Sequence, residues 1–246
     1  MMMMMMMMRG IVQSGSGSGV QLRRSTSMSM MTKMMCGSLS AQCELPGENG
    51  ERRRRRSVHS DVRGEEATTV LEAALVQVPA HGWSVRAIRE GAVSLSLSPA
   101  IAASFKRGEA ELVEYFVRKC NAALAKQLDD ERETVLASMG DTETRLAYAL
   151  NERLKMVQPF ARSWPQALKV QAHPHNFPES VRNLAELADE VWHACGDDAT
   201  DLTWYTKRMA LAGVYSASEV FMLTDYSPNF VDTKAFLERR LASNWT

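Results

Sequence analysis

No run of apolar residues in this 246-residue sequence approaches the roughly 18 to 20 that a bilayer-spanning helix requires. Cysteine is equally sparse. Cys36, Cys43, Cys120 and Cys195 contain no C-x-x-C pair, and two of the four lie near the N-terminus, so neither a disulfide framework nor a zinc site is indicated. The sequence also lacks a P-loop, an H-E-x-x-H pair and a G-x-S-x-G elbow, which removes the common signatures of nucleotide, metalloprotease and α/β-hydrolase chemistry. No catalytic constellation, metal site or cofactor motif stands out. The expectation is therefore a protein that is not an enzyme.

Acidic residues are missing from Met1 to Cys43, while Arg9, Arg23, Arg24 and Lys33 stand among eight serines. That is the composition of an organelle transit peptide, and on composition alone it fits a mitochondrion or a chloroplast. Thirteen of the 17 methionines lie at or before Met35, so the remainder of the chain has ordinary globular composition. Net charge divides in the same way. Nine of the 29 basic residues but only three of the 29 acidic ones precede Ser57, leaving 20 basic against 26 acidic from there on. An acidic folded region argues against nucleic acid as the main partner, because neutralising phosphates needs clustered Lys and Arg. Arg52 to Arg56 read as a self-repelling solvated linker.

From Glu65 onward the apolar spacing is helical and no strand pattern is evident. Val70, Leu71, Ala74, Leu75 and Val78 follow the i, i+3, i+4 rule until His81-Gly82. Ser84 can cap a second helix carrying Val85, Ile88, Ala92 and Leu95, and Ser98 with Pro99 opens a third with Ile101, Ala102 and Phe105. A longer helix from about Glu109 to Asp130 places Leu112, Phe116, Cys120 and Ala123 on one stripe. Asp141 can cap the next, which Pro159 interrupts, and Pro165 starts a short helix stopped by HPHNFP. Glu179 to Cys195 is the cleanest amphipathic segment, with Val181, Leu184, Ala185, Ala188, Val191, Trp192 and Cys195 on one face and Gly196 as C-cap. A helix from about Asp201 to Leu223 and a last one bearing Val231, Phe236, Leu237 and Leu241 complete an all-α architecture.

Glu190 and His193 have metal-ligand spacing on a helix, but a di-iron bundle needs a second such pair and two more carboxylates, and no other histidine follows a glutamate by three. His173 and His175 sit in a proline-bounded loop. Trp204 and Tyr205, at a helix start flanked by Asp197, Asp198 and Asp201, suit either buried anchors or an exposed contact patch. The spacing of Gly82, Ile88 and Gly91 and the segment SFKRGEAELV resemble the N-terminal helix-turn-helix of TetR-type regulators. The recognition helix would be SPAIAASF, residues 98–105, and it contains none of the Arg, Lys, Asn, Gln or Tyr that read bases or anchor to phosphate. A TetR-type ligand-responsive transcriptional regulator is thus the alternative reading, with its readout surface absent.

Taken in order, VPAHGW (78–83), REGA (89–92), LVEYFV (112–117), WPQAL (164–168), DEVWHACGD (189–197), WYTKR (204–208) and LTDYSPNFVDT (223–233) resemble the ubiquinone-biosynthesis accessory family, the ninth member of the COQ set, in its plant or algal form. The resemblance implies a TetR-like homodimer in the mitochondrion, peripheral on the matrix face of the inner membrane. It implies binding of an isoprenoid quinone precursor or phospholipid and its presentation to the pathway's demethoxyubiquinone hydroxylase, with no reaction of its own. By motif position, the hydroxylase contact patch falls on Asp189, Val191, Trp192, Asp201, Trp204, Tyr205 and Arg208. The family continues past its last helix into an amphipathic helix that lies on the membrane, and no candidate for it precedes Thr246.

The organisation expected is a mitochondrial transit peptide and linker over 1–64, a helix-turn-helix-like bundle with connecting helix over 65–130, and a helical lipid-binding domain over 131–246. Periodicity places Leu112, Phe116, Leu150, Leu154, Leu184, Leu187 and Phe221 around an apolar cavity, on the order of 300 Å³ if it holds a lipid.

Overall fold

In a computed structural model, the backbone is described for residues 49–197 and 202–245 and the side chains for 64–197 and 203–243. The chain divides into Met1–Arg52, nearly all of it outside the described residues, and a compact unit, Arg53–Thr246.

Helix α1 spans Asn49–His81, α2 Val85–Ser94, α3 Glu109–Glu131, α4 Thr142–Val157, α5 Trp164–Gln171, α6 Phe177–Ala194, α7 Leu202–Met222 and α8 Val231–Trp245. The all-α expectation holds: no strand occurs among the described residues. The caps read from sequence are formed. Ser84 accepts from the Ala87 amide at 3.4 Å, Ser98 from Ala100 at 3.3 Å, and Asp141 from Thr144 at 3.0 Å.

Four details depart from the periodicity reading. Helix α1 begins at Asn49, so Arg52–Arg56 are helical. Arginine is close to alanine in helix propensity, and no proline lies between Asn49 and Pro79, so like-charge repulsion worth tenths of a kcal/mol per pair does not stop the helix. The third segment is a 3-10 turn, Pro99–Ser104, and the left-handed Ser96 (φ 59°) before it leaves Leu95 and Leu97 exposed. On α3 the buried stripe passes through Leu124 and Leu128, whereas Ala123 is exposed. On α6, Val181 faces out at 45% exposure.

Packing joins distant sequence motifs. Trp83, Phe116, Phe160 and Trp164 form one aromatic cluster, with ring centroids 5.0–5.5 Å apart in tilted or edge-on pairs. Both tryptophans are fully buried, worth on the order of 5 kcal/mol each in transfer free energy. The Gln166 side chain fixes this arrangement: it accepts from the Trp83 amide and donates to the Trp83 carbonyl, each at 2.9 Å. Gly82, at φ +66°, makes the turn possible, and a Cβ there would sit 2.5 Å from the Gln166 oxygen. Thus VPAHGW, LVEYFV and WPQAL meet at one point. Helix α3 then packs on α4, α5 and α6, while α7 lies between α6 and α8 and α8 returns to α4.

Candidate functional site

Where α6 ends and α7 begins, Arg208 organises the surface. Its guanidinium donates to Asp189 at 2.5 Å and to Asp197 at 3.3 Å, and its Nη1 also reaches the Trp204 carbonyl at 3.4 Å. The Arg208 and Asp197 side chains retain only 9% and 10% exposure, so this is an enclosed pair, while Asp189 remains half-exposed. Lys207 adds a second contact to Asp197 at 2.6 Å. Above the network, the Trp204 ring lies 4.1 Å from the Arg208 guanidinium carbon and packs edge-on against Tyr205, centroids 4.7 Å apart. Tyr205 is 56% exposed and Trp204 partly so. The result is an aromatic pair held at the surface on a fixed base.

Two residues expected in this patch turn inward. Val191 is fully buried and Trp192 only 4% exposed, because they continue the apolar stripe of Leu187 and Ala188 on α6. The Trp192 ring sits beneath Lys207, whose ammonium lies 5.2 Å from its centroid. They support the patch from below and do not line it. Asp201 lies outside the described residues.

The seven residues expected around a lipid cavity divide differently. Leu112, Phe116, Leu150, Leu154 and Leu187 are at most 4% exposed. Leu184 packs partly buried against the same core. Phe221 stands at the other end of α7, stacked on Phe236 of α8 with centroids 4.4 Å apart. None of the seven lines either of two cavities among the described residues. One is a partly open space of about 20 Å³ beside Asn183, and the other an open groove of about 400 Å³ bordered by Glu65, Thr69, Leu95 and Leu97. The large rings around Phe116 fill the space that periodicity alone left open.

A buried polar group was missed from the sequence. Arg153, 1% exposed, donates to the Asn121 side-chain oxygen at 2.9 Å and has its guanidinium 5.7 Å from the centre of the Tyr215 ring. Near it Glu219 accepts from the Trp164 indole at 3.1 Å and from the Tyr215 hydroxyl at 3.2 Å. Desolvation pushes the Glu219 carboxyl above its ordinary pKa, with the Arg153 charge and the two hydrogen bonds opposing it. The signal was legible: Arg153 interrupts the stripe Leu146, Ala149, Leu150, Leu154, where a charge must find partners.

The COQ9 family profile matches residues 177–244, and that of the ubiquinone biosynthesis protein COQ9 N-terminal domain matches residues 68–93. Human mitochondrial ubiquinone biosynthesis protein COQ9 is 44% identical over 177 residues, which are 70% of this chain and 55% of the human protein. The Xenopus tropicalis protein of the same name is 43% identical over 182 residues, 72% of this chain and 57% of its own length. This chain belongs to the COQ9 family. It spans only a little over half the length of these relatives.

The crystal structure of the TetR transcriptional regulator from Nitrosomonas europaea superposes at a TM-score of 0.56 with 16% identity, over 73% of this chain and 97% of that one. The COQ9-family chain therefore has a TetR-like all-α fold. The helix-turn-helix of that fold is present as α1, α2 and the Pro99–Ser104 turn, whose outward residues Pro99, Ala100, Ala103 and Ser104 are small and uncharged. Two of the family's stretches, DEVWHACGD and WYTKR, are the two sides of the Arg208 network.

Proposed function

We propose that this chain is a non-enzymatic, lipid-binding accessory protein of mitochondrial ubiquinone biosynthesis. It acts as a homodimer, peripheral on the matrix face of the inner membrane, and presents an isoprenoid quinone precursor to the demethoxyubiquinone hydroxylase. The observation that carries this reading is the Trp204–Tyr205 pair locked over Arg208. Aromatic and Arg side chains dominate interface hot spots, and a patch fixed before binding loses little side-chain entropy when it docks. The names of the relatives supply the pathway and the compartment. No described helix is long and apolar enough to cross a membrane, which fits a peripheral attachment.

The core around Leu112, Phe116, Leu150, Leu154, Leu184 and Leu187 is closed, so a lipid tail enters only if helices part. The seam to open is the Phe221–Phe236 stack between α7 and α8, where both rings keep some exposure. Covering the tail's apolar surface supplies the free energy, at about 25 cal/mol per Å².

Trp204→Lys tests the docking surface. The substitution should abolish co-purification with the hydroxylase, a loss of about 2 kcal/mol or more, while the helical circular dichroism and the melting temperature stay near wild type. Unfolding of the variant, or retention of binding, would each place the interface elsewhere. Native mass spectrometry of the wild type, before and after lipid extraction, tests the cargo.

A further inference from the structure

At the helix-turn-helix end of the fold, an open groove of about 400 Å³ lies between α1 and the turn that follows α2. Among the described residues, Glu65, Glu66 and Thr69 border it from α1, and Leu95 and Leu97 from the turn. Leu95 is 37% exposed and Leu97 40%, and Val93 beside them is half-exposed.

The backbone fixes the leucine wall. The Ser96 amide donates to the Val93 carbonyl and the Leu97 amide to the Ala92 carbonyl, each at 2.9 Å, which is the paired bonding of a Schellman cap. Such a cap needs a left-handed residue just past the helix end, and Ser96 takes that place at φ 59°, where glycine is usual. An apolar wall set by main-chain bonds needs little ordering when something docks on it.

Charge decides what the groove can take. Glu72, further along α1, pairs with Lys119 and accepts from the Tyr115 hydroxyl at 2.6 Å. Among the described residues, neither Glu65 nor Glu66 has an ion-pair partner. Arg86, Arg89 and Lys106, the exposed basic residues of this end, do not border the groove. Unpaired carboxylates repel phosphate, which disfavours both a nucleic acid and an anionic lipid surface, and they attract Lys or Arg.

We propose that this groove docks a cationic, aliphatic segment of a partner protein. An aliphatic side chain of that segment packs against Leu95 and Leu97, while a neighbouring Lys or Arg pairs with Glu65 and Glu66. The helix-turn-helix end then serves as a peptide-binding surface in place of a nucleic-acid one. It shares no residue with the Trp204 surface, so neither reading stands or falls with the other.

A fluorescent peptide of alternating Leu and Lys residues tests this on the full-length chain, with a Leu and Glu peptide of the same length as its counterpart. Wild type should raise the anisotropy of the first and not of the second, and added salt should weaken the binding. Glu65→Lys with Glu66→Lys should weaken it about tenfold or more and confer binding of the Leu and Glu peptide, a gain that misfolding cannot produce. Leu95→Ser with Leu97→Ser should lose the Leu and Lys peptide and keep the wild-type melting curve, because both positions are exposed. Failure of wild type to bind, or equal affinity in all three chains, would overturn the proposal.

The same variants separate two other occupants. Vesicles of phosphatidylcholine and cardiolipin that bind wild type but not the double leucine variant would make the groove a lipid contact and overturn the proposal. A change of oligomeric state in that variant, read by sedimentation equilibrium, would overturn it in favour of a second copy of the chain. Unchanged vesicle binding and oligomeric state, together with the expected peptide results, support it.

Discussion

Arg208 satisfies two carboxylates and lies under an indole at the same time, which no shorter or uncharged side chain can do. Arg208→Leu leaves the enclosed Asp197 with Lys207 alone and removes the platform beneath Trp204. It should lower stability by about 1–3 kcal/mol and shift the tryptophan emission to the red as Trp204 swings into water. An unchanged spectrum and melting curve would show that the aromatic pair holds itself. Gly91 is a second position where one residue sets the geometry, because a Cβ there would lie 2.6 Å from the Ala74 backbone nitrogen. Gly91→Ala should therefore force α1 and α2 apart at a cost of about 1–3 kcal/mol, read as a lower melting temperature, although alanine is the better helix former.

Among the elements, α8 depends on a cap that lies before it in sequence. The Asp225 carboxylate accepts from the Ser227 and Thr233 amides at 2.7 Å each and from the Thr233 hydroxyl at 2.5 Å, fastening the turn that delivers α8 onto α7 and α4. Partial burial pushes this carboxyl upward, but the hydrogen bonds from Ser227 and Thr233 together hold its pKa below the usual aspartate value. A depressed carboxyl stabilises fully above its unfolded pKa, about 3.9, and that contribution is lost as pH falls through the lower folded value. Asp225→Asn should thus lower the melting temperature at pH 7 and narrow the gap to wild type below pH 4, measured by circular dichroism across that range. A gap that is the same at every pH would show that the charge of Asp225 plays no part.

At the scale of the molecule, one hydrophobic core runs from Val70 on α1 to Leu241 on α8, with the Arg153–Glu219 group set inside it. Glu219 has a raised pKa, so its ionisation opposes folding. The penalty is absent below the unfolded glutamate pKa, about 4.3, and grows as pH rises from there to the folded value. Glu219→Gln keeps an acceptor for Trp164 and Tyr215 and removes the buried charge. Its melting temperature should exceed wild type at pH 8 by more than at pH 5. A variant less stable than wild type at pH 8 would mean that the attraction of Arg153 outweighs desolvation.

Much of this was legible in order along the chain. Helix spacing, the Ser84, Ser98 and Asp141 caps and the family motifs are local patterns, and local backbone hydrogen bonding enforces them whatever lies opposite. Periodicity also placed Trp204 and Arg208 on one face of α7, where the cation-π contact is found. What it could not give is the occupant of the other side. Val191 and Trp192 read as surface companions of Trp204 and are sealed beneath it, and Phe116 and Leu150 read as cavity walls and are solid core. Those outcomes hang on contacts between residues far apart, such as the Gln166 amide that clamps Trp83 across 83 positions. An apolar stripe records that a face will leave water, but only close packing of whole helices decides which neighbour fills the space and whether any of it stays open.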